Sequence, residues 1–310
     1  MIIQTEGLTR TFVRRSRGVR RTTLTAVDDL SISIDAGEAV GYIGANGAGK
    51  STTIKMLVGI LVPTSGSVRT CDLDPVRRRR ELARHVGVVF GQRSQLWWDL
   101  PTRESYRILA AIHRVQGTER LDELVSELEL GDFMDTPVRQ LSLGQRMRAE
   151  VAAALLHSPQ LVILDEPTIG LDVVSKQRLR QFLIAERQQH GTTLLLTTHD
   201  MGDVERLCDR VLVVDHGRLA YDGSLPGLAA SVDSHRVLVL DLDDAVAPLT
   251  GIPGTTYVGS EVGGARQRLR FDPEQTSIAA VLAQVPGLRD LSIEEPDIED
   301  VVRQIYSRDR

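Results

Sequence analysis

Residues 40–52 read Val-Gly-Tyr-Ile-Gly-Ala-Asn-Gly-Ala-Gly-Lys-Ser-Thr: an apolar run, then a glycine-rich turn, then residues that suit a helix. Gly44, Gly47 and Gly49 let the backbone wrap tightly enough for its N–H groups to surround a polyphosphate, with Ala45, Asn46 and Ala48 completing the turn. Lys50 supplies a positive charge for the outer phosphates, Ser51 a hydroxyl for magnesium, and Thr52 continues the segment. The run from Lys50 through Ile54, Met56 and Leu57 predicts a helix whose N-terminal field favours an anion. A merely structural turn has no need of the Lys-Ser ending. The stretch is read as a phosphate-binding loop between a buried strand and a helix, which sets the fold class as α/β.

The chain around this loop has 310 residues, 42% of them hydrophobic, enough for a substantial core and more than one domain. No run of about 20 predominantly apolar residues is present, and Met1-Ile2-Ile3-Gln4-Thr5-Glu6 lacks the basic and apolar regions of a secretory signal. A cytosolic setting is expected. Cys71 and Cys208 are too few and too isolated for a disulfide framework or a four-ligand zinc site. Net charge is −5, but residues 1–222 carry 29 basic and 28 acidic side chains whereas 223–310 carry 8 and 14. The shift marks a domain boundary near Gly223. An acidic balance with arginines in short patches argues against nucleic acid as a partner; the patches are candidate anchors for lipid headgroups or a membrane subunit.

Residues 1–13 predict an edge strand ending near Phe12, an aromatic read either as a core residue or as a stacking platform for a base. Residues 14–25, with Arg14, Arg15, Arg17, Arg20 and Arg21 around Gly18, predict a solvated loop. Leu30–Ile34 alternates with period two and predicts a strand before the turn Asp35-Ala36-Gly37. Arg77 to Arg80 with Arg84 read as a solvated helix face. Val86–Phe90 predicts a compact strand ending at Gly91-Gln92, where the Gln92 amide oxygen suits magnesium and the side chain is placed to report ligand binding to the segment beyond. Residues 94–139 predict a mainly helical insertion, from the spacing of Leu109, Ile112 and Val115 and of Leu121, Leu124, Val125 and Leu128. With the helix that follows, the insertion reaches about residue 158. Trp97 and Trp98, the only tryptophans, form either a core plug or an exposed docking edge.

Leu141-Ser142-Leu143-Gly144-Gln145 precedes a helix from Arg146 to Leu156, so Ser142 and Gly144 are placed to contact phosphate through a hydroxyl and helix-start N–H groups. Leu161-Val162-Ile163-Leu164 predicts a buried central strand that presents Asp165 and Glu166 at a ligand crevice. Asp165 is assigned to magnesium, and Glu166 to orienting or activating water. Together with residues 44–51 this pair implies ATP hydrolysis with Mg2+. Gly170-Leu171-Asp172 and a helix through Gln177–Ala185 follow, then a buried strand over Thr192–Thr198 ending at His199, whose two nitrogens suit a phosphate, the attacking water and a partner backbone. Arg210–Asp215 and Arg218–Tyr221 predict two short strands at the sheet margin. Beyond residue 223, strands at Val237–Leu240, Gln267–Phe271 and Leu288–Ile293, helices at 276–285 and 297–306, and a glycine-rich connection near 259–264 predict a small α+β domain. Glu294, Glu295, Asp297, Glu299 and Asp300 are read as solvated helix-start charge rather than a metal site.

Residues 1–222 resemble the nucleotide-binding subunit of an ATP-binding-cassette (ABC) transporter. Gly44–Ser51 stands as its Walker A loop, Gln92 as its Q-loop, Leu141–Gln145 as its signature, Leu161–Glu166 as Walker B, Asp172 as its D-loop and His199 as its switch histidine. Phe12 aligns with the adenine-stacking aromatic. Leu143 departs from the commonest signature by occupying the first glycine position, while Ser142 and Gly144 remain. More narrowly, Phe90-Gly91-Gln92, Trp97-Trp98-Asp99-Leu100-Pro101 and Leu141–Arg146 look like a bacterial exporter branch of the ABC-2 or drug-efflux type, and residues 223–310 resemble the small regulatory C-terminal domain of such ATPases.

The resemblance implies a P-loop ATPase domain with a helical subdomain over residues 1–222, followed by a small α+β domain over 223–310. It further implies a head-to-tail dimer whose composite sites pair Gly44–Thr52, Gln92, Asp165, Glu166 and His199 of one chain with Ser142, Gly144, Gln145 and Asp172 of the other. ATP and Mg2+ are the implied cofactors. The implied partners are a second copy of the chain and separate transmembrane permease subunits at the cytoplasmic face of the cell membrane, with Gln92–Pro101 as the coupling surface. Two other readings are a soluble cassette ATPase acting on ribosomes or nucleic acid and a noncatalytic nucleotide-binding regulator.

Overall fold

The computed structural model describes residues 1–15, 21–91, 93–198, 200–231, 236–272 and 275–294. Gln92, His199, the helix expected at 297–306 and the acidic residues beyond Glu294 lie outside the described residues. The chain divides into two compact units, Met1–Ser224 and Leu225–Arg310.

The first unit opens with β1 (Ile3–Arg15) and β2 (Arg21–Leu30), antiparallel, with Phe12 opposite Leu24 and Thr11 opposite Thr25. Much of the arginine-rich stretch expected to be a solvated loop therefore belongs to the two arms of a hairpin. Leu24 is 64% exposed, so the first part of this strand owes its formation to pairing with β1, whereas Val27 and Leu30 further along it are buried in the core. After β3 (Ser33–Ile34) the chain enters a second sheet at β4 (Ala39–Gly44), passes into α1 (Lys50–Leu57), and returns to the first sheet as β5 (Ser65–Thr70), which with β3 pairs to β1.

The one-turn helix α2 (Arg79–Leu82), with its arginines exposed, leads to β6 (Val86–Phe90). The helical insertion then comprises α3 (Thr102–His113), α4 (Glu119–Glu127) and α5 (Leu143–Leu155). Leu109, Leu124 and Leu128 are buried as expected, but Ile112 faces outward. Arg120 of α4 ties the insertion to the ATPase core by donating to both carboxylate oxygens of Glu186 at 2.7 Å. Next come β7 (Leu161–Asp165), α6 (Val173–His190), which holds Glu186, β8 (Thr193–Thr197), α7 (Met201–Leu207), β9 (Arg210–Asp215) and β10 (Arg218–Gly223).

The second sheet runs β10-β9-β4-β8-β7-β6, all parallel except its margin β10. Every residue of β4 and β8 is buried, and β7 is buried up to Asp165. Strands covered on both faces carry continuous apolar runs in place of alternation, which is why they stand out in the sequence. Tyr42, Ile54, Leu57, Leu161 and Ile163 join the core beneath the first sheet, each apolar side chain contributing about 1.5–3 kcal/mol on burial. The buried Tyr42 hydroxyl is paired with Thr53 Oγ1 at 3.1 Å, and burial pushes its pKa up. Because β6, β7 and β8 are in parallel register, Phe90, Asp165 and Thr197 lie side by side at the carboxyl edge of the sheet. This is the edge where open α/β sheets bind ligands.

The second unit contains α8 (Leu225–Ser231), β11 (Arg236–Leu242), β12 (Thr255–Glu261), β13 (Arg266–Phe271), α9 (Ile278–Leu282) and β14 (Leu288–Glu294). Its antiparallel sheet runs β12-β13-β11-β14, with Leu238, Leu240, Leu269, Phe271 and Val281 in a core of its own. The strand β12 takes up part of the stretch expected to be a glycine-rich connection. A register shift between Tyr257 and Gly259 and an exposed Val258 hide its strand pattern. The buried Gln267 side chain closes the preceding loop, accepting from Leu249 N at 2.8 Å and donating to the Val246, Ala247 and Gly264 carbonyls at 3.1 Å.

Candidate active site

The turn after β4 is shaped by backbone conformations that side chains resist. Gly49 has φ +99° and a Cβ there would stand 2.2 Å from the Ala26 carbonyl oxygen, so the loop closes against β2 only with glycine at this position. Gly49 also starts α1, so the first amides of that helix open toward the same turn. Lys50 is 9% exposed, and its ammonium donates to the Gly44 and Ala45 carbonyls at 2.5 and 3.3 Å. Burial pulls the Lys50 pKa down, while the charges of Glu166 and Asp165 work against that shift. The lysine therefore lies within electrostatic reach of both carboxylates at the end of β7.

A cleft of about 620 Å³ opens over this loop. Phe12, Ala45, Asn46, Gly47, Gly49, Lys50, Ser51, Thr52, Asp165 and Glu166 all line it, so ten residues singled out from the sequence converge on one place. Gly44 and Ala48 lie buried behind the lining. Phe12 is 36% exposed and is not a core residue; the Arg10 guanidinium stacks over its ring at 4.7 Å. Leu24, Ala26, Lys55, Ile60, Arg93 and Ile169 also line the cleft and were not anticipated; Phe90 and Gly91, at the end of β6, line it too. Leu24 lies in the stretch expected to be a solvated loop, and Ala26 carries no chemical signal of its own; Arg93, a cation beside Gln92, offered one.

Asp165 accepts from Thr197 Oγ1 at 2.5 Å across the β7–β8 register. Glu166 has φ +55°, a left-handed conformation uncommon outside glycine, and its amide donates to the Thr197 carbonyl at 2.9 Å. The turn thereby directs the chain away from the sheet at the carboxylate assigned to water. The oxygen donors of Ser51 and Asp165, one hydroxyl and one carboxylate, are of the hard type that magnesium takes, and the glycine turn and Lys50 suit a polyphosphate. The residues present thus fit both ATP and Mg2+.

Ser142, Gly144, Gln145 and Asp172 do not line this cleft. Ser142 caps α5 in a reciprocal box: its Oγ accepts from Gln145 N at 3.2 Å, and Gln145 Oε1 accepts from Ser142 N at 2.9 Å. Asp172 caps α6, accepting from Ser175 N at 2.9 Å and Ser175 Oγ at 2.6 Å, bonds that hold its carboxyl pKa down. The two helix starts touch. Leu143 packs over Gly170, where a Cβ would come 2.5 Å from Leu143 Cδ2, and a Cβ on Gly144 would meet Ser175 Oγ at 3.3 Å. The residue that departs from the usual signature is thus seated on the loop that carries Asp172.

The segment after position 92 runs from the cleft, where Arg93 lines it, onto α5. The buried Glu150 of α5 accepts from Ser94 Oγ and from Gln95 N (3.1 Å), and its carbonyl accepts from Gln95 Nε2 at 2.9 Å. Burial raises the Glu150 pKa. Trp97 and Trp98 are 38% and 51% exposed, so they form an outward edge and not a core plug; the Arg146 guanidinium stands 5.7 Å from the Trp98 ring. Among the described residues no helix is long and apolar enough to cross a membrane.

The family described as ABC transporter matches residues 27–169. The Nod factor export ATP-binding protein I of Sinorhizobium fredii (strain NBRC 101917 / NGR234) is 35% identical over 91% of this chain and 82% of that protein. The daunorubicin/doxorubicin resistance ATP-binding protein DrrA of Streptomyces peucetius is 36% identical over 78% of this chain and 71% of that protein. Among solved structures, the dimeric structure of a post-hydrolysis state of the ATP-binding cassette MJ0796 bound to ADP and Pi superposes with a TM-score of 0.63. It is 26% identical, covering 72% of this chain and 98% of that one.

Proposed function

We propose that this chain, which belongs to the ATP-binding subunits of ABC transporters, works as a homodimer that hydrolyses ATP between its two copies to drive export through separate membrane subunits. The chain is a magnesium-dependent ATPase of the α/β cassette fold, and the ATPase domains of this family dimerise and act with transmembrane permease subunits. Its own two-copy assembly is supported by one observation above all. The residues assigned to ATP fall on two separate faces of the same molecule, the cleft over α1 and the paired starts of α5 and α6.

In this assembly Lys50 and the amides of residues 45–50 bind the triphosphate of their own chain, and Phe12 takes the base. Ser142, Gly144, Gln145 and Asp172 arrive from the other copy and close the site, excluding water other than the one to be activated. Ser51, Asp165 and Gln92 would hold magnesium, which supplies charge neutralisation of the phosphates when bound. Glu166 orients the attacking water and draws its proton, and His199 holds the outer phosphate. Export is supported by the two relatives whose names carry export and resistance, and the cytoplasmic face of the cell membrane is the location proposed with it. The exposed Trp97–Trp98 edge is the surface for the membrane subunit, and residues 223–310 form an accessory, regulatory domain.

Glu166→Gln tests the assignment. ATP binding is expected to persist while turnover falls by about a hundredfold or more and an ATP-dependent dimer accumulates on gel filtration. Native turnover in this variant would contradict the role given to Glu166.

A further inference from the structure

Beneath the Glu166 turn lies a buried charge that the reaction as described does not use. Asp203 of α7 is fully buried, and Thr168 and Thr198 beside it are 2% and 1% exposed. One carboxylate oxygen, Oδ2, accepts from both hydroxyls: from Thr168, and from Thr198 at 3.4 Å. The other, Oδ1, accepts from Arg180 Nε of α6 at 2.5 Å. Lys176, one turn earlier on α6, donates to Asp200 at 2.5 Å, and Asp200 N donates to Thr198 Oγ1 at 3.0 Å, so the same helix holds the segment beyond position 199 at two points and reaches Thr198 through Asp200.

These contacts close a ring. Thr168 lies two residues beyond Glu166, and Thr198 follows Thr197, whose carbonyl holds the Glu166 amide. Asp203 joins the two ends. A left-handed residue other than glycine persists only where its surroundings over-determine it, and Glu166 is such a residue. Burying a carboxylate with an arginine is seldom a net gain in stability over apolar packing, so the pair calls for another reason to be there. We infer that Asp203 is a positioning residue for hydrolysis: through Thr168 and Thr198 it fixes the turn that aims the Glu166 carboxylate.

The inference rests on Glu166 as the water-orienting group, and one set of variants of the full-length chain separates the two claims. ATP turnover, KM for ATP and thermal unfolding are measured for Thr168→Val, Thr168→Ser and Asp203→Asn, each alone and with Glu166→Gln. In the native background Thr168→Val and Asp203→Asn are expected to lower kcat about tenfold with KM changed less than about twofold. Thr168→Ser, which keeps the hydroxyl, should restore most of the rate. With Glu166→Gln already present, Thr168→Val should cost nothing further, because the group it positions no longer acts. Native kcat in Thr168→Val or, should that variant not fold, in Asp203→Asn overturns the inference, as does an equal loss of rate in both backgrounds. Native turnover in Glu166→Gln alone overturns the assignment of Glu166 instead.

Discussion

The cleft over α1 and the face made by the starts of α5 and α6 treat the same kind of ligand by opposite means. In the cleft a buried cation meets half-buried carboxylates: Lys50 lies within reach of Asp165 and Glu166, and a strained turn carries one of the carboxylates. On the other face the helix starts are exposed and already satisfied by their own side chains, Ser142 by Gln145 and Asp172 by Ser175. The first region has the concave form that suits a triphosphate. The second offers capped, pre-organised amides outside that cleft, so under the proposed assembly it meets a ligand brought by the other copy. The contrast is the one that the proposed shared site requires of each of its halves.

The comparison breaks most visibly at Ser142. Ser142→Asp keeps a good helix cap, so unfolding should move little, yet it sets a carboxylate against a phosphate bound by the other copy. Turnover is expected to fall about a hundredfold while ATP binding by the separate chain is unchanged. A native rate would remove Ser142 from the site. A smaller effect tests the contact within the second face. Gly170→Ala adds a Cβ 2.5 Å from Leu143 at φ +70°, which should lower stability by about 1–2 kcal/mol, and Leu143→Ala in the same chain should recover the steric part. Calorimetry that finds the two changes additive would show that Leu143 does not bear on that loop. The smallest effects on turnover belong to Trp98→Ala and to a chain ending at Ser224. Both should hydrolyse ATP within about twofold of native rates when alone but respond abnormally to the membrane subunit. A normal response would remove the coupling and regulatory roles in turn.

The parallel sheet was legible because strands buried on both faces must be apolar throughout, as at Leu161–Leu164, and the phosphate loop because only glycines permit its backbone. The outer hairpin around Leu24 was not, since its arginines and threonines carry no apolar period and that part of the strand is held by pairing with β1; only at Val27 and Leu30 does it reach the core. Strand β12 was hidden in the same way. At the site, the ten residues that meet in the cleft over α1 stand out from their types and order along the chain. The ring of Thr168, Asp203 and Arg180 could not, because partners 23 and 35 residues apart meet only after α6 and α7 pack. Leu143 stood out as a departure, but its seat on Gly170 depends on two separate helix starts converging.

Mixing two inactive chains tests the shared site most directly. In a dimer of Lys50→Ala with Ser142→Asp, one site holds both lesions and the other holds neither. Equal mixing should therefore raise ATP turnover far above either variant alone, to about a quarter of the native rate if the sites act independently. Turnover that stays at the mean of the two variants, under conditions where the chains exchange partners, would show that each chain hydrolyses ATP by itself.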